Sequence, residues 1–461
     1  MQKTKNPYRA AIIGAGLAGC EAAWQLAERG VEVALYEMRP KTQTPIHASD
    51  SFCELVCSNS LKSLDRDSAA GALKYELARL GSFVLQKALE ARIPAGGALA
   101  VDREKFAAAV TEAVSAHLRI QVVRDEVTSI DAVCKDGRLS CIVATGPLTS
   151  DALAQDIEAR VGSDSLAFYD AAAPIVTAES INLDMLFAQS RYDKNGADYL
   201  NAALSRERYE HFVEQLVGAK RVIPRDFEKR DLFQACQPVE EIARAGTDAL
   251  RYGALKPVGL IDPQTGRRPW AAVQLRIENS ERSAYNLVGF QTNLKFSEQE
   301  RVFRLIPGLE QAEFVRYGVM HRNTFIDTPH SLTQTLALPD APHIRFAGQI
   351  TGTEGYVEAI ASGLYAALCT YAALRGYPLP TLPASTTFGS LLAYATNPQT
   401  KHYQPMHVNY GIMMELAARV RNKKERYAAY AQRAGASIDG FVSERGELDF
   451  LPGYNVPFLL P

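Results

Sequence analysis

The sequence predicts an α/β protein in which one domain built on a parallel sheet is split by a large inserted α+β domain. Three observations predict it. Residues 10–37 read as strand, glycine turn, helix and second strand. From about residue 150 to 336 aromatics and charges become dense and prolines recur. A second strand–glycine–helix element then returns at 344–375. The expected organisation is 1–149 for the first part of a Rossmann-like domain, 150–336 for the insert, and 337–461 for the second part with basic C-terminal helices. Two strand–glycine–helix elements closing on one sheet are the arrangement of glutathione-reductase-type FAD domains.

The first element is Ala10 to Ile13, followed by Gly14-Ala15-Gly16-Leu17-Ala18-Gly19 and a helix from Cys20 to Arg29 that Gly30 stops. A second apolar strand, Val31 to Tyr36, ends at Glu37. The three glycines permit a tight turn, close approach of a pyrophosphate and close helix–strand packing. The helix N-terminus turns its partial positive charge toward phosphate, and the acid accepts hydrogen bonds from a ribose. A nucleotide cofactor follows, FAD or a nicotinamide.

Next comes a loop from Met38 to Ser49, then the segment Ser51 to Ser63, then a long helical pattern from about Ser68 to Ala91. Asp102 is the expected N-cap of another helix. Strands near Ile120–Val123 and Cys141–Ala144 are expected to bracket a hairpin at Asp136-Gly137. Within the insert, strands are expected at Val273–Ile277 and Tyr285–Gln291. The chain returns with Ile344 to Ala347, the run Gly348 to Glu358 with glycines at 348, 352 and 355, and a helix from about Tyr356 to Arg375. Two separated glycine elements favour bound FAD over a transient nicotinamide.

Composition narrows the class. The chain has 461 residues, 47% hydrophobic and 22% charged, as in a globular protein of two or three domains. No apolar run reaches the length of a membrane span, and the N-terminal segment lacks the apolar core of a signal peptide. Seven cysteines, odd in number and scattered, argue against a disulfide framework and for a reducing cytoplasm. Neither paired CxxC motifs nor HxxxH spacing occurs, so no metal site is expected. The net charge of −2 leaves only local patches for a polyanion. Candidates are Lys220 to Arg230, Arg267-Arg268, and a C-terminal helix running from Arg419 through Arg426 to Arg433.

Three positions could carry chemistry. Cys57, in Glu54-Leu-Val-Cys57-Ser-Asn-Ser60, sits at the edge of a cofactor loop with Lys62 as a nearby source of positive field. Cys236 precedes Pro238 and the acidic pair Glu240-Glu241, which mark a helix start whose dipole favours a thiolate. His321-Arg322-Asn323 could stack on and hydrogen-bond a planar heterocycle. The remaining cysteines read as packing residues.

Long segments in order, among them GAGLAG, ELVCSNSLKS, PAGGALAVDREKF, FQACQPVEEIARAG, YNLVGFQTNLKF and FAGQITGTEGYVE, resemble the folate- and FAD-dependent tRNA (uracil-5-)-methyltransferases, relatives of the GidA flavoproteins. The resemblance covers nearly the whole chain. It implies transfer of a one-carbon unit from methylenetetrahydrofolate to carbon 5 of the T-loop uridine of tRNA, with FAD reduced by NAD(P)H. It places Cys236 and Cys57 at the family's two functional cysteines, Cys236 attacking the base and Cys57 serving the flavin, or the reverse. Gly14, Ala15, Gly16, Leu17, Ala18, Gly19 and Glu37 would hold the adenosine half of FAD, with Gly348, Gly352 and Glu354 near the flavin. His321, with Arg322 and Asn323, would meet the folate or the RNA. It implies a cytoplasmic enzyme with no membrane and no stable protein partner. Ala235 stands where a glycine is expected before Cys236, and such departures bear on the substrate. The same chemistry on a ribosomal RNA uridine, and a flavin oxidoreductase without methyl transfer, stay open.

Overall fold

The computed structural model describes residues 10–44, 46–134, 139–162, 166–193, 197–222, 237–400 and 403–456. Its first sheet has five parallel strands in the order Ile344–Phe346, Ser140–Val143, Ala10–Ile13, Val33–Glu37 and Ile120–Arg124. All four residues of Ala10–Ile13 are buried, as a central parallel strand requires. The helix Leu17–Glu28 covers the sheet and crosses the long helix Tyr356–Arg375. At the crossing, a Cβ on Gly363 would stand 2.2 Å from the Ala18 carbonyl oxygen, so only glycine lets the two backbones touch. Tyr356–Arg375 is the one helix among the described residues long and apolar enough to span a membrane, and 89% of its apolar window lies inside the protein.

The second sheet has six antiparallel strands, ordered Leu186–Ala188, Tyr199–Leu204, Ala271–Ile277, Ala284–Leu287, Ile175–Thr177 and Phe314–Arg316. Tyr209, Phe212 and Leu216, one face of the helix Arg206–Gly218, are buried in its core. The two expected insert strands are thus neighbours, although the second ends at Leu287. The strand Met320–Phe325 pairs with Leu166–Ala171 as a separate ribbon.

Several expectations need correction. Ile120–Arg124 and Ser140–Val143 form no hairpin: they are parallel, two other strands lie between them, and the helix Ile130–Cys134 sits in the connection. Asp136-Gly137 lie outside the described residues. The pattern from Ser68 to Ala91 is two helices, Ala69–Arg79 and Phe83–Glu90. Gly81 breaks them at φ +72°, and the Ser82 hydroxyl accepts from the Leu85 amide to cap the second. Glu21, fully buried, accepts from the Phe83 and Val84 amides and the Ser82 hydroxyl, fixing that helix start against Leu17–Glu28. The C-terminal helix begins at Lys423, where Asn422 caps it, rather than at Arg419.

Candidate active site

The first glycine turn has a separate physical reason for each glycine. Gly14 sits at φ +100°, and a Cβ there would lie 2.6 Å from the Ala144 carbonyl oxygen. A Cβ on Gly19 would strike the Gly14 oxygen at 1.8 Å, which is the close helix–strand packing. Gly16, the N-cap of Leu17–Glu28 at φ −76°, has nothing within 4 Å of its would-be Cβ. Packing leaves that position free, with space for a ligand to approach the backbone. The open cleft around Gly14 and Gly16 includes Glu37, Arg39 and Thr145 among its walls. The Glu37 carboxylate accepts from the Ala15 amide at 3.0 Å and from Arg39 Nε at 2.9 Å. Burial alone would raise its pKa, but the bonds and charge of Arg39 outweigh it and hold the group below the usual carboxylate range. The residues present therefore fit a dinucleotide.

The second glycine element approaches through Ala18, whose methyl would be 3.2 Å from a Cβ on Gly348. Gly348 lies at φ +85° and donates its amide to Ser362 Oγ at 2.7 Å. Gly352, at φ +71°, leaves room for the Tyr403 hydroxyl. Glu354 accepts from Gln349 Nε2 at 2.7 Å. Gly355, at φ +119°, gives way to Glu358 Oε2 and Lys62 Nζ, which would stand 2.2 and 2.9 Å from a Cβ.

Beside the second element lies an open cleft of about 900 Å³ whose walls include Cys57, Lys62, Gln291, Glu354 and Tyr356. The Cys57 loop is held from behind by its backbone. The Tyr356 hydroxyl accepts from the Cys57 amide at 2.9 Å and the Ser58 amide at 3.2 Å, and burial pushes its pKa up so that it stays a neutral phenol. Arg316 donates to the Val56 carbonyl at 2.7 Å, and Arg103 donates to Leu55 and pairs with Glu278 at 2.6 Å. Two guanidinium groups thus stand behind the half-buried Cys57. Lys62 also lines this cleft, with its ammonium 3.0 Å from the buried Glu358 carboxylate. Cys53, by contrast, is 1% exposed and packs in the core.

Cys236 lies outside the described residues. Just after it, the Val239 amide donates at 2.7 Å to the carbonyl of Gln291, a wall residue of the Cys57 cleft. The backbone of His321, Arg322 and Asn323 runs in the ribbon Met320–Phe325, which packs against the turns Gly146–Leu148 and Gln349–Thr351. Tyr356, Arg103, Arg316 and Gln291 were not singled out in the sequence. Only Tyr356 carries a hint, as the residue after the glycine run.

The profile of the family described as "Glucose inhibited division protein A" matches residues 9–378. The chain belongs to the GidA family. A relative from Pelotomaculum thermopropionicum, named methylenetetrahydrofolate--tRNA-(uracil-5-)-methyltransferase TrmFO, is 54% identical over 430 residues, 93% of this chain and 97% of its own. A Heliobacterium modesticaldum protein of the same name is 52% identical over 433 residues, 94% of this chain and 98% of its own. Among GidA proteins the chain therefore sits in the TrmFO group. The solved structure of Aquifex aeolicus GidA shares the fold, with a TM-score of 0.68 at 15% identity over 96% of this chain and 76% of that one. The α/β class with an inserted α+β domain is the GidA fold, and two sheets of the expected kinds build it.

Proposed function

We propose that the protein transfers a one-carbon unit from methylenetetrahydrofolate to carbon 5 of the T-loop uridine of tRNA, using bound FAD and NAD(P)H. The observation that carries this reading is the cleft beside the second glycine element, walled by Gln349, Glu354 and Gly355. Cys57 lines it, and the chain following Cys236 is anchored to its wall. The names of relatives above 50% identity supply the substrate class.

Gly14, Gly16 and Glu37 would hold the adenosine and pyrophosphate end of FAD, and Gly348, Gly352 and Glu354 would flank its ring. The flavin, when bound, supplies the electrons that complete the methyl group. Carbon 5 of uracil is a weak nucleophile until a thiolate adds at carbon 6, and that addition is the work assigned to Cys236. Its Sγ–C6 bond forms as electron density shifts to carbon 5, which then bonds the one-carbon unit; loss of the carbon 5 proton to solvent restores the C5–C6 double bond and expels the thiolate. Cys57, on a loop held by Tyr356 and Arg103, serves the flavin and its one-carbon unit, or the two cysteines exchange these roles. The uridine leaves its stack to reach the cleft. All six described cysteines are free, as a reducing compartment such as the cytoplasm leaves them.

The test supplies purified protein with NADPH, methylenetetrahydrofolate labelled in its methylene carbon, and unmodified tRNA or ribosomal RNA. Label is expected in 5-methyluridine of tRNA, and Cys57→Ala is expected to retain FAD while losing turnover. Label in ribosomal RNA alone would move the substrate. No label in either RNA, or full activity of Cys57→Ala, overturns the reading.

A further inference from the structure

The inserted sheet ends in an exposed edge strand, Leu186–Ala188, and an open groove of about 1390 Å³ runs beside it. Arg208, Arg267 and Arg268 line this groove, all three exposed. None of the three has an ion-pair partner among the described residues. The acid closest in the chain to Arg267 and Arg268 is Asp262, which accepts from the Gln264 amide at 2.9 Å and the Thr265 hydroxyl at 3.1 Å. Its backbone closes the same turn, donating to the Arg267 carbonyl at 2.9 Å and accepting from the Gly266 amide at 2.8 Å. The turn is therefore braced from within, and its carboxylate, which also lines the groove, forms no ion pair with the arginines it presents.

The other basic patches are arranged differently. Arg221 is buried against Glu241. At the C-terminal helix, Arg419, Arg421, Lys423 and Lys424 are also exposed and without an ion pair among the described residues, but they follow one another along the chain at the helix start. The groove instead gathers three such arginines from two separate segments on the inserted sheet, in a chain whose net charge is −2. That is complementary to a polyanion.

We propose that this groove is a second contact for the substrate RNA, binding its phosphodiester backbone away from the reacting uridine. The proposal rests on the RNA-methylating reading above. The strand Ala271–Ile277 sets the distance. It starts beside Trp270 in the groove wall and ends at Ile277, whose carbonyl accepts from Asn59, two residues beyond Cys57. Seven extended residues span roughly 23 Å, so the groove meets a part of the RNA outside the reacting loop nucleotide. Charge at this distance adds affinity and leaves the chemical step untouched.

The test replaces Arg208, Arg267 and Arg268 together, once by Gln and once by Lys, in the FAD-loaded protein. Binding of unmodified tRNA is measured across salt concentrations, and methylation is measured separately. For the Gln variant the slope of log affinity against log salt is expected to fall by about 2–3, and affinity at moderate salt by about ten- to a hundredfold. KM for tRNA rises in step, while kcat and FAD content stay as in the wild type. The Lys variant keeps most of the slope. Wild-type binding by the Gln variant overturns the proposal, and so does equal loss in both variants at unchanged slope. A salt-independent protein adding a strand to Leu186–Ala188 at this groove would also overturn it. Groove-dependent binding by a wild type that forms no 5-methyluridine would sink the methyltransferase reading and leave the groove standing.

Discussion

Replacing Gly16 by Ala separates a glycine required by a ligand from glycines required by the fold. At φ −76° and ψ −170° an alanine is conformationally allowed, and its methyl meets nothing within 4 Å. The ligand-free protein should keep its stability, or gain up to about 1 kcal/mol from a less flexible unfolded chain. The same methyl occupies the space into which a pyrophosphate must come. Losing two charge-assisted hydrogen bonds there, at about 1.5–3 kcal/mol each, weakens FAD by more than a hundredfold, since about 1.4 kcal/mol is tenfold. Gly19→Ala should behave oppositely. Its Cβ would be 1.8 Å from the Gly14 oxygen, so the helix must move off the strand, at about 1–3 kcal/mol or more. Thermal melts of the apoproteins and titration of FAD by its fluorescence give both quantities. The reasoning fails if Gly16→Ala binds FAD within threefold of wild type, or if its melt falls with that of Gly19→Ala.

Tyr356→Phe leaves the Cys57 and Ser58 amides without their acceptor. At about 1–3 kcal/mol per orphaned buried group, discounted because the loop is only half-buried, the loss should be about 2 kcal/mol. A change under 0.5 kcal/mol in denaturant unfolding would show that the hydroxyl does not hold the loop. Glu240 gives a pH test. Burial raises its pKa from 4.5 to about 7, against the hydrogen bonds from Asn293 and Thr292. A carboxyl whose folded pKa is raised holds its proton better in the native state, so its stability contribution is present at low pH and declines as pH rises from about 4.5 through about 7. Glu240→Gln removes that titration. The melting temperature of the variant relative to wild type should climb between pH 4.5 and 8 and then level off; a constant difference would contradict the assignment.

How much of this was legible depended on how local each constraint is. Gly14, Gly16 and Gly19 could be read because turn, approach and packing are decided within six residues. The break at Gly81 was missed because apolar spacing continues through Leu80-Gly81-Ser82 into the next helix. The supposed hairpin between Ile120 and Ala144 failed because each strand pairs with one far upstream, Ile120 with Val33 and Cys141 with Ala11. Cys57 stood out by its neighbours, yet what fixes it did not. Arg103, Arg316 and Tyr356 act on backbone groups, and a carbonyl or amide leaves no mark in the sequence that its partner can be matched to. The three unspent arginines of the groove were visible only as charges, because burial and pairing decide which charges are spent.

The parallel sheet is completed by Ile344–Phe346, which lies beside Ser140–Val143. During synthesis, at about 5–20 residues per second, the ribosome needs roughly 10–40 s to deliver the intervening 200 or so residues. Throughout that interval Ser140–Val143 is a bare, apolar edge, the kind that recruits a strand from another chain. The second glycine element arrives on the same late segment, so a nascent chain can form the first turn long before it can close around a flavin. Yield in the cell should then depend on how long that edge waits. Slow codons placed within 150–336 are a burden on this protein that no measurement on the finished fold would reveal.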